Sequence, residues 1–374
     1  MINRRMLTRL ALLMLGFSLL ILNFYGGEAQ DIRVGPGGIN FDAFGGPDPN
    51  TANFRSNDGL LIFSIVTHTA GNGFFNPVYV GATAAAQMLT AYGTPVIVLR
   101  EGSPSPSDDP FTAIQIIEAR MRDPKLDGIV ITTPAVGSYG DIVRRAFELG
   151  IPIATTNSFD PTIPFRDQVS HTGQDAGASA IAGRALAQCL LDNNMTSGVV
   201  LLPNTIAGTN VEVNNRIKFA AGAIRESIAN TPALSGVRVD DGPEGIGVDV
   251  SLETPTEDII NLIQATPNVI GLFGGNNITT PSIGDAVRTL GIADRTCAFG
   301  FDVGGAQQDF VSTGDLDGAL GQQPFLQGLY PIIQIYMQID RGVSAANLDT
   351  RAELLTPANL DVFRKFSETR LTNF

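Results

Sequence analysis

The 374 residues contain no tryptophan, two histidines and two cysteines, and only 16% of them are charged. The charges are unbalanced, 24 basic against 37 acidic, for a formal net charge of −13. Each shortage excludes something. His68 and His171 stand in no metal spacing such as H-x-x-x-H, and each reads as a loop residue satisfying backbone groups. Cys189 and Cys297 are too few for a disulfide framework; a single bridge and two buried thiols stay equally open. An acidic chain, with a pI near 4.6, argues against nucleic acid or anionic lipid as partner. No G-x-S-x-G elbow, no P-loop and no G-x-G-x-x-G after a strand occurs, so the usual hydrolase, nucleotide and dinucleotide signatures are absent. No nucleophile, base or metal set suggests an enzyme, and no cofactor is implied.

What the chain does have is apolar residues, 44% of the total, enough for a substantial core. The first of them are set apart. Arg4, Arg5 and Arg9 precede an almost wholly apolar stretch over 10–24, and Gly27 and Ala29 supply small residues at a cleavage site. The stretch is shorter than the roughly 20 residues that span a bilayer. Residues 1–29 therefore read as a signal peptide cleaved after Ala29, in preference to an uncleaved anchor, and the mature protein is expected in the periplasm. No cysteine lies near that site, so the protein is not expected to be a lipoprotein. Residues 30–58, rich in Gly, Pro, Asn and Asp, read as a flexible leader.

The chain is organised around residues 60–93. A β-branched apolar run over 60–66 has the pattern of a strand buried on both faces. A polar, glycine-bearing loop over 68–76 carries two adjacent phenylalanines, Phe74 and Phe75. Pro77 then opens a helix whose Ala82, Ala85, Ala86 and Leu89 recur at helical spacing, and Gly93 ends it. Further strands are predicted over 94–99, 128–132 and 151–155, with helices over 110–122 and 139–149. The pattern then restarts, with helices over 176–191, 211–229, 256–265, 282–290 and 326–337. Strands fall over 197–202, 237–240, 269–273, 296–301 and 318–321. Alternation of this kind means parallel sheets covered on both faces, and its restart means two similar α/β halves.

In such sheets ligands sit at the carboxyl ends of the strands. Read at those places, the sequence offers Asn72, Phe74 and Phe75, then Asn157 and Ser158, then Asn210 and Arg216. Asn276 and Asn277, Asp302, and finally Gln322 and Gln323 follow. A turn or cap explains any one of these alone. Six groups at equivalent places suggest more. Amides donate and accept, a carboxylate accepts from two hydroxyls, a guanidinium donates a fork, and a phenyl ring covers an apolar sugar face. That chemistry suits a neutral, polyhydroxylated ligand in a mostly preformed cleft.

At these residues the chain resembles the exported solute-binding proteins of sugar ABC transporters, of the ribose-binding type, within the type I periplasmic binding protein family. The matching segments are THTAGNGFFNPVYVGA (67–82), PIATTNS (152–158), VSHTGQD (169–175), GTNVEVNNR (208–216), FGFD (299–302) and GALGQQPFLQGLYP (318–331). The resemblance implies two Rossmann-like lobes joined by a three-crossing hinge near 169–173, 322–324 and 344–349. It implies an N-terminal lobe of 59–172 plus 323–346 and a C-terminal lobe of 173–322 plus 347–374. It implies a monomer whose partners are a small neutral sugar or polyol and a membrane permease. The implied ligand-binding set is Asn72, Phe74, Phe75, Asn157, Ser158, Arg216, Asn276, Asp302 and Gln322. There are departures. Ribose binders carry Asp-Arg where this chain has Asn157-Ser158, and the glycine of Arg-x-x-Gly-Phe is missing here, so Arg216 and Asn215 compete for one place. Two residues are inserted after Asn277.

The rival readings are a sensory protein of the same fold presenting a sugar-like signal to a membrane receptor, and a sugar-responsive transcription regulator. The regulator would need a helix-turn-helix where this chain has its apolar export segment.

Overall fold

The computed structural model describes residues 59–105, 109–164, 167–343 and 345–365. The signal peptide, the leader over 30–58 and the end of the second lobe beyond 365 lie outside the described residues. Two six-stranded sheets account for the architecture. The first is built from β1 (Leu61–Thr67), β2 (Val96–Gly102), β3 (Gly128–Ile131), β4 (Ile153–Thr156), β5 (His171–Gly173) and β13 (Leu348–Asp349), in the order β13-β5-β4-β3-β1-β2. The second is built from β6 (Ser197–Leu201), β8 (Gly236–Asp240), β10 (Val269–Gly274), β11 (Cys297–Phe301), β12 (Gly318–Gly321) and β14 (Glu353–Leu355), in the order β14-β12-β11-β10-β6-β8. A two-stranded ladder of β7 (Pro203–Asn204) and β9 (Val248–Asp249) sits beside it.

Every pair in the first sheet is parallel. In the second, only β14 runs antiparallel, against β12. The central strands are apolar throughout because helices cover both faces: β3 (GIVI) and β11 (CAFGF) are buried at every position. Chain order and sheet order reverse direction beside β1 in the first sheet and beside β6 in the second. Two doubly wound units result, each with its own switch point. The chain passes between the sheets three times: from β5 to β6, from β12 to the helix Pro324–Arg341, and from β13 to β14.

The helices follow the predicted sites with shifted ends. They are α1 (Phe75–Ala91), α2 (Pro110–Met121), α3 (Gly140–Glu148), α4 (Ser179–Asp192), α5 (Val211–Asn230), α6 (Pro255–Ala265), α7 (Thr279–Leu290), α8 (Gly305–Thr313) and α9 (Pro324–Arg341). α1 begins two residues before Pro77, so Phe75 opens the helix and Phe74 is its cap residue, not part of a loop. A proline in the first turn loses no hydrogen bond, which lets the helix run through it. The sequence pattern predicts neither α8 nor the short strands β5, β7, β9, β13 and β14, and α8 buries Gln307 and Gln308 where an apolar face would be expected.

Two structural devices hold the lobes in shape. Cys189 and Cys297 form a disulfide that ties α4 to β11. In the first lobe, α1 crosses α9 at two glycines. A Cβ on Gly81 would lie 1.9 Å from the Phe325 carbonyl oxygen, and one on Gly328 would lie 1.8 Å from that of Val78. Backbone therefore packs on backbone, and the neighbouring Val78, Ala82, Leu329 and Ile332 are buried around the crossing.

Replacing Gly81 by alanine should destabilise the protein by at least the ~1–3 kcal/mol usual for overpacking, because the clash is with main chain that cannot rotate away. Urea unfolding at equilibrium measures this, and a wild-type midpoint would contradict the crossing. Removing the disulfide as Cys189→Ser/Cys297→Ser should cost about 2–4 kcal/mol in the same assay.

Candidate functional site

The carboxyl ends of β1, β4, β6, β10, β11 and β12 face one another across the gap between the sheets. All nine residues of the predicted set line a single cavity there, with His68, Thr69, Ile206, Asn210, Val213, Asn277 and Ile278. The space is about 40 Å³, room for roughly one or two waters. A larger groove of about 460 Å³ runs along the outer edge of the first sheet between α1 and β2. It is lined mainly by alanine, valine and threonine, with Arg100 and Gln87, and shares no residue with the cavity.

Charge enters the cavity from the second lobe. Arg216 comes off the second turn of α5, and only 3% of it is exposed. Its guanidinium carbon lies 4.4 Å from the centre of the Phe301 ring. Nη2 donates to Gln322 Oε1 at 2.8 Å and Nη1 to the Gly275 carbonyl at 3.4 Å. Of the two competitors, Arg216 lines the cavity and Asn215 does not. Asp302 follows β11 and is equally buried. Burial raises its carboxyl above the usual carboxylate range, against the pull of Arg216, the Gln322 amide and the Asn277 N–H.

Gln322 sits between these two. Its Nε2 donates to Asp302 Oδ1 at 2.6 Å while its Oε1 accepts from Arg216. A carboxylate can only accept and a guanidinium can only donate, so the amide has one orientation. The same Oε1 accepts from Asn157 Nδ2 at 3.2 Å, and Asn157 also donates to Gln327 Oε1 at 3.1 Å. Ser158 donates its hydroxyl to Asn157 Oδ1 at 3.1 Å. Asn157, Ser158 and Gln322 therefore direct much of their polar capacity at one another, holding the floor of the cavity.

The first lobe supplies the rings and one amide. Phe75 is buried at 2% exposure and packs edge-on against His68 and against Phe74. Phe74 is the more open of the two rings. Asn72 Oδ1 accepts from the Phe74 N–H at 3.0 Å, bracing the helix start. Asn72 Nδ2 also donates to Asn277 Oδ1 at 3.0 Å, and Asn277 Nδ2 returns a bond to Asn72 Oδ1. This reciprocal amide pair joins the lobes across the cavity mouth.

The plain explanation holds for part of the set. Asn210 caps α5 by accepting from Glu212 N and Val213 N, and Asn276 accepts from Ile278 N and Thr279 N at the start of α7. His68, expected as a loop residue satisfying backbone groups, follows β1. Its main-chain N–H does donate to Thr132 Oγ1 at 2.8 Å, yet its ring also lines the cavity, with Nδ1 2.6 Å from that hydroxyl. Its position four residues before Asn72, on the strand-end loop, was the signal available. His171 lies elsewhere, on β5 beside Phe159 and Thr155.

Comparison with known proteins places this geometry in context. The family model described as periplasmic binding protein domain matches residues 63–342. The xylose/arabinose-binding protein XylF of Sulfolobus acidocaldarius is 24% identical over 312 residues, 80% of this chain and 71% of that protein. A carbohydrate transporter solute-binding protein from Agrobacterium radiobacter, solved in complex with D-arabinose, superposes with a TM-score of 0.68 at 21% identity, covering 83% of this chain and 99% of its own. An ABC transporter solute-binding protein from Burkholderia graminis, also with D-arabinose, gives a TM-score of 0.66 at 20% identity, covering 82% and 98%. At these identities the solved structures establish the fold.

Each bond of the Asn72–Asn277 pair is worth about 0.5–1.5 kcal/mol. Asn277→Ala should therefore shift the lobes towards a wider separation, seen as a larger radius of gyration by small-angle X-ray scattering. An unchanged scattering curve would mean that the pair does not hold the mouth.

Proposed function

The chain belongs to the periplasmic binding protein family, and from that premise we propose that it is an exported solute-binding protein that captures a sugar or polyol between its lobes and delivers it to the permease of an ABC transporter. The observation that carries this reading is the convergence of Asn72, Phe74, Asn276, Arg216, Asp302 and Gln322, from both lobes, on one small hollow. The hollow pairs hydroxyl-directed groups with a phenyl face. Binding by enclosure asks for nothing more.

The moving bodies are the two sheets with their helices, hinged at the three crossings; β5 through Gly173 and β13 at Leu348–Asp349 pair within the first sheet, so the expected lobe bounds at 172/173 and 346/347 move to 173/174 and 349/350. A pyranose is larger than the present space, so entry requires the Asn72–Asn277 pair to part and the lobes to swing. In this reading Asp302 accepts from paired hydroxyls, Arg216 donates to ring or hydroxyl oxygen, and Phe74 covers the C–H face. The named relatives that bind xylose or arabinose make a pentose the first candidate. Residues 1–29 direct export and are removed, 30–58 become the N-terminal leader of the mature protein, and that protein acts as a monomer in the periplasm.

Calorimetric titration of the purified mature protein with D-arabinose, D-xylose and a panel of hexoses and polyols tests the proposal. Heat and a raised melting temperature with at least one are expected, since a ligand bound only by the folded form stabilises it. Silence across the panel would overturn it. For the sugar that binds, Asp302→Ala should weaken affinity by roughly 1–3 kcal/mol or more, through hydroxyl donors left unmatched in a dry site.

A further inference from the structure

Glu212 lies one helical turn before Arg216, at the start of α5, and belongs to none of the groups assigned above. It is 9% exposed, and its Oε1 has no hydrogen-bond partner. Arg216 Nε is likewise buried and without one. The two atoms face each other at 3.7 Å, an ion pair slightly too long to be a hydrogen bond. Arg216 is thereby held on three sides: by the Phe301 ring beneath it, by Gln322 at its Nη2, and by Glu212 at its Nε. The guanidinium is planar, so fixing Nε and Nη2 fixes which edge it turns to the cavity.

We propose that Glu212 is a positioning residue of the binding site, whose carboxylate sets the orientation of the Arg216 guanidinium towards the ligand. The proposal rests on the reading of the cleft as a sugar site, and it carries a regulatory consequence. Two acidic groups, Glu212 and Asp302, share the cation Arg216, and Asp175, from the segment after β5, adds a further negative charge that acts on Glu212. Burial, less the pull of Arg216, raises the Glu212 carboxyl to about 7. Its hold on Arg216 is therefore full above neutrality and weakened below it.

The sign for stability is the reverse. A carboxyl whose folded-state value is raised contributes stability that is complete below its unfolded value, near 4.5, and is lost as pH rises through about 7. Ligand affinity should rise with pH across neutrality while the stability of the unliganded protein falls. A buried glutamate with a merely structural role would give the second trend without the first.

Titration with D-arabinose at about pH 6 and about pH 8, on either side of that value, reads the first trend. Wild type is expected to bind several-fold more tightly at the higher pH. Glu212→Gln is expected to bind on the order of tenfold more weakly there, because the buried ion pair that orients Arg216 is lost, and to show no slope. Glu212→Asp should keep the slope at reduced affinity. A Glu212→Gln protein with wild-type affinity and slope would overturn the proposal. A ligand-free arm separates this from failure of the sugar reading: the Arg216 Nε–H signal in a nitrogen–proton NMR spectrum should move through neutral pH in wild type and stay fixed in Glu212→Gln. A signal that ignores pH in both would overturn the proposal even if sugars bind, and the predicted movement would support it even if D-arabinose does not.

Discussion

A buried guanidinium and a buried carboxylate, Arg216 and Asp302, are joined through a third side chain. Gln322 accepts from one and donates to the other, so each charge sees a dipole of the correct sign. Stranding either charge in a dry interior would cost several kcal/mol. The adaptor is also where the chain leaves the second sheet for the first: Gln322 follows β12 and precedes α9. Its carbonyl accepts from Gln327 Nε2 at 2.9 Å, on the first-sheet side of this crossing, and from Thr350 Oγ1 at 2.9 Å, next to β13 at the third crossing. The charges of the site and the geometry of the hinge are thus one hydrogen-bonded system.

Backbone geometry at the same place points the same way. Asn157, Asp302 and Gln323 have positive φ, at 61°, 70° and 54°. A side chain in that region costs of order 1 kcal/mol or more, which glycine would avoid. Each lies just beyond a strand end, and Asn157 and Asp302 line the cavity. Glycine would relax the main chain but remove the amide or carboxylate that the network needs, so the strain is retained where a side chain is required. The hydrogen bonds around Asn157 and Gln322 hold it in place.

Much of this is legible in the sequence. The alternation of β-branched runs with helical spacing announced two doubly wound sheets, because strands buried on both faces leave few polar positions to blur the pattern. The strand ends then located the cavity, since topology alone puts them at one edge. Element ends were less legible. α1 begins at Phe75 because aromatic residues there are anchored by packing on His68, a tertiary contact that local sequence does not encode. β5 and β14 are three residues each, below the length at which periodicity means anything. The cysteine pairing depends on a Cα separation of 6.1 Å across 108 residues, which no spacing rule predicts. Within the site, residue type said which side chains could meet a ligand. It did not say which would be occupied as caps, as Asn210 and Asn276 partly are, or that Glu212 would stand behind Arg216.

The size of the cavity decides how such a site has to work. A space of about 40 Å³ lined by sixteen residues from both sheets leaves no route for a pyranose that keeps the lobes where they are. Across the mouth the short amides of Asn72 and Asn277 pair, and beside the cavity the Val211 N–H donates to the Pro134 carbonyl at 3.0 Å. By contrast the hinge side is bound through Asn157, Gln322, Gln327 and Thr350, and the first lobe is braced by the glycine crossing of α1 and α9. Contact strength is therefore unequal along the cleft: weak at the mouth and dense at the hinge. Opening should break the mouth first and leave the hinge network intact, so that the charged floor formed by Arg216, Gln322 and Asp302 is already assembled when a ligand arrives. A preassembled floor spares the ligand the cost of ordering it, which leaves more of the interaction energy for drawing the lobes together.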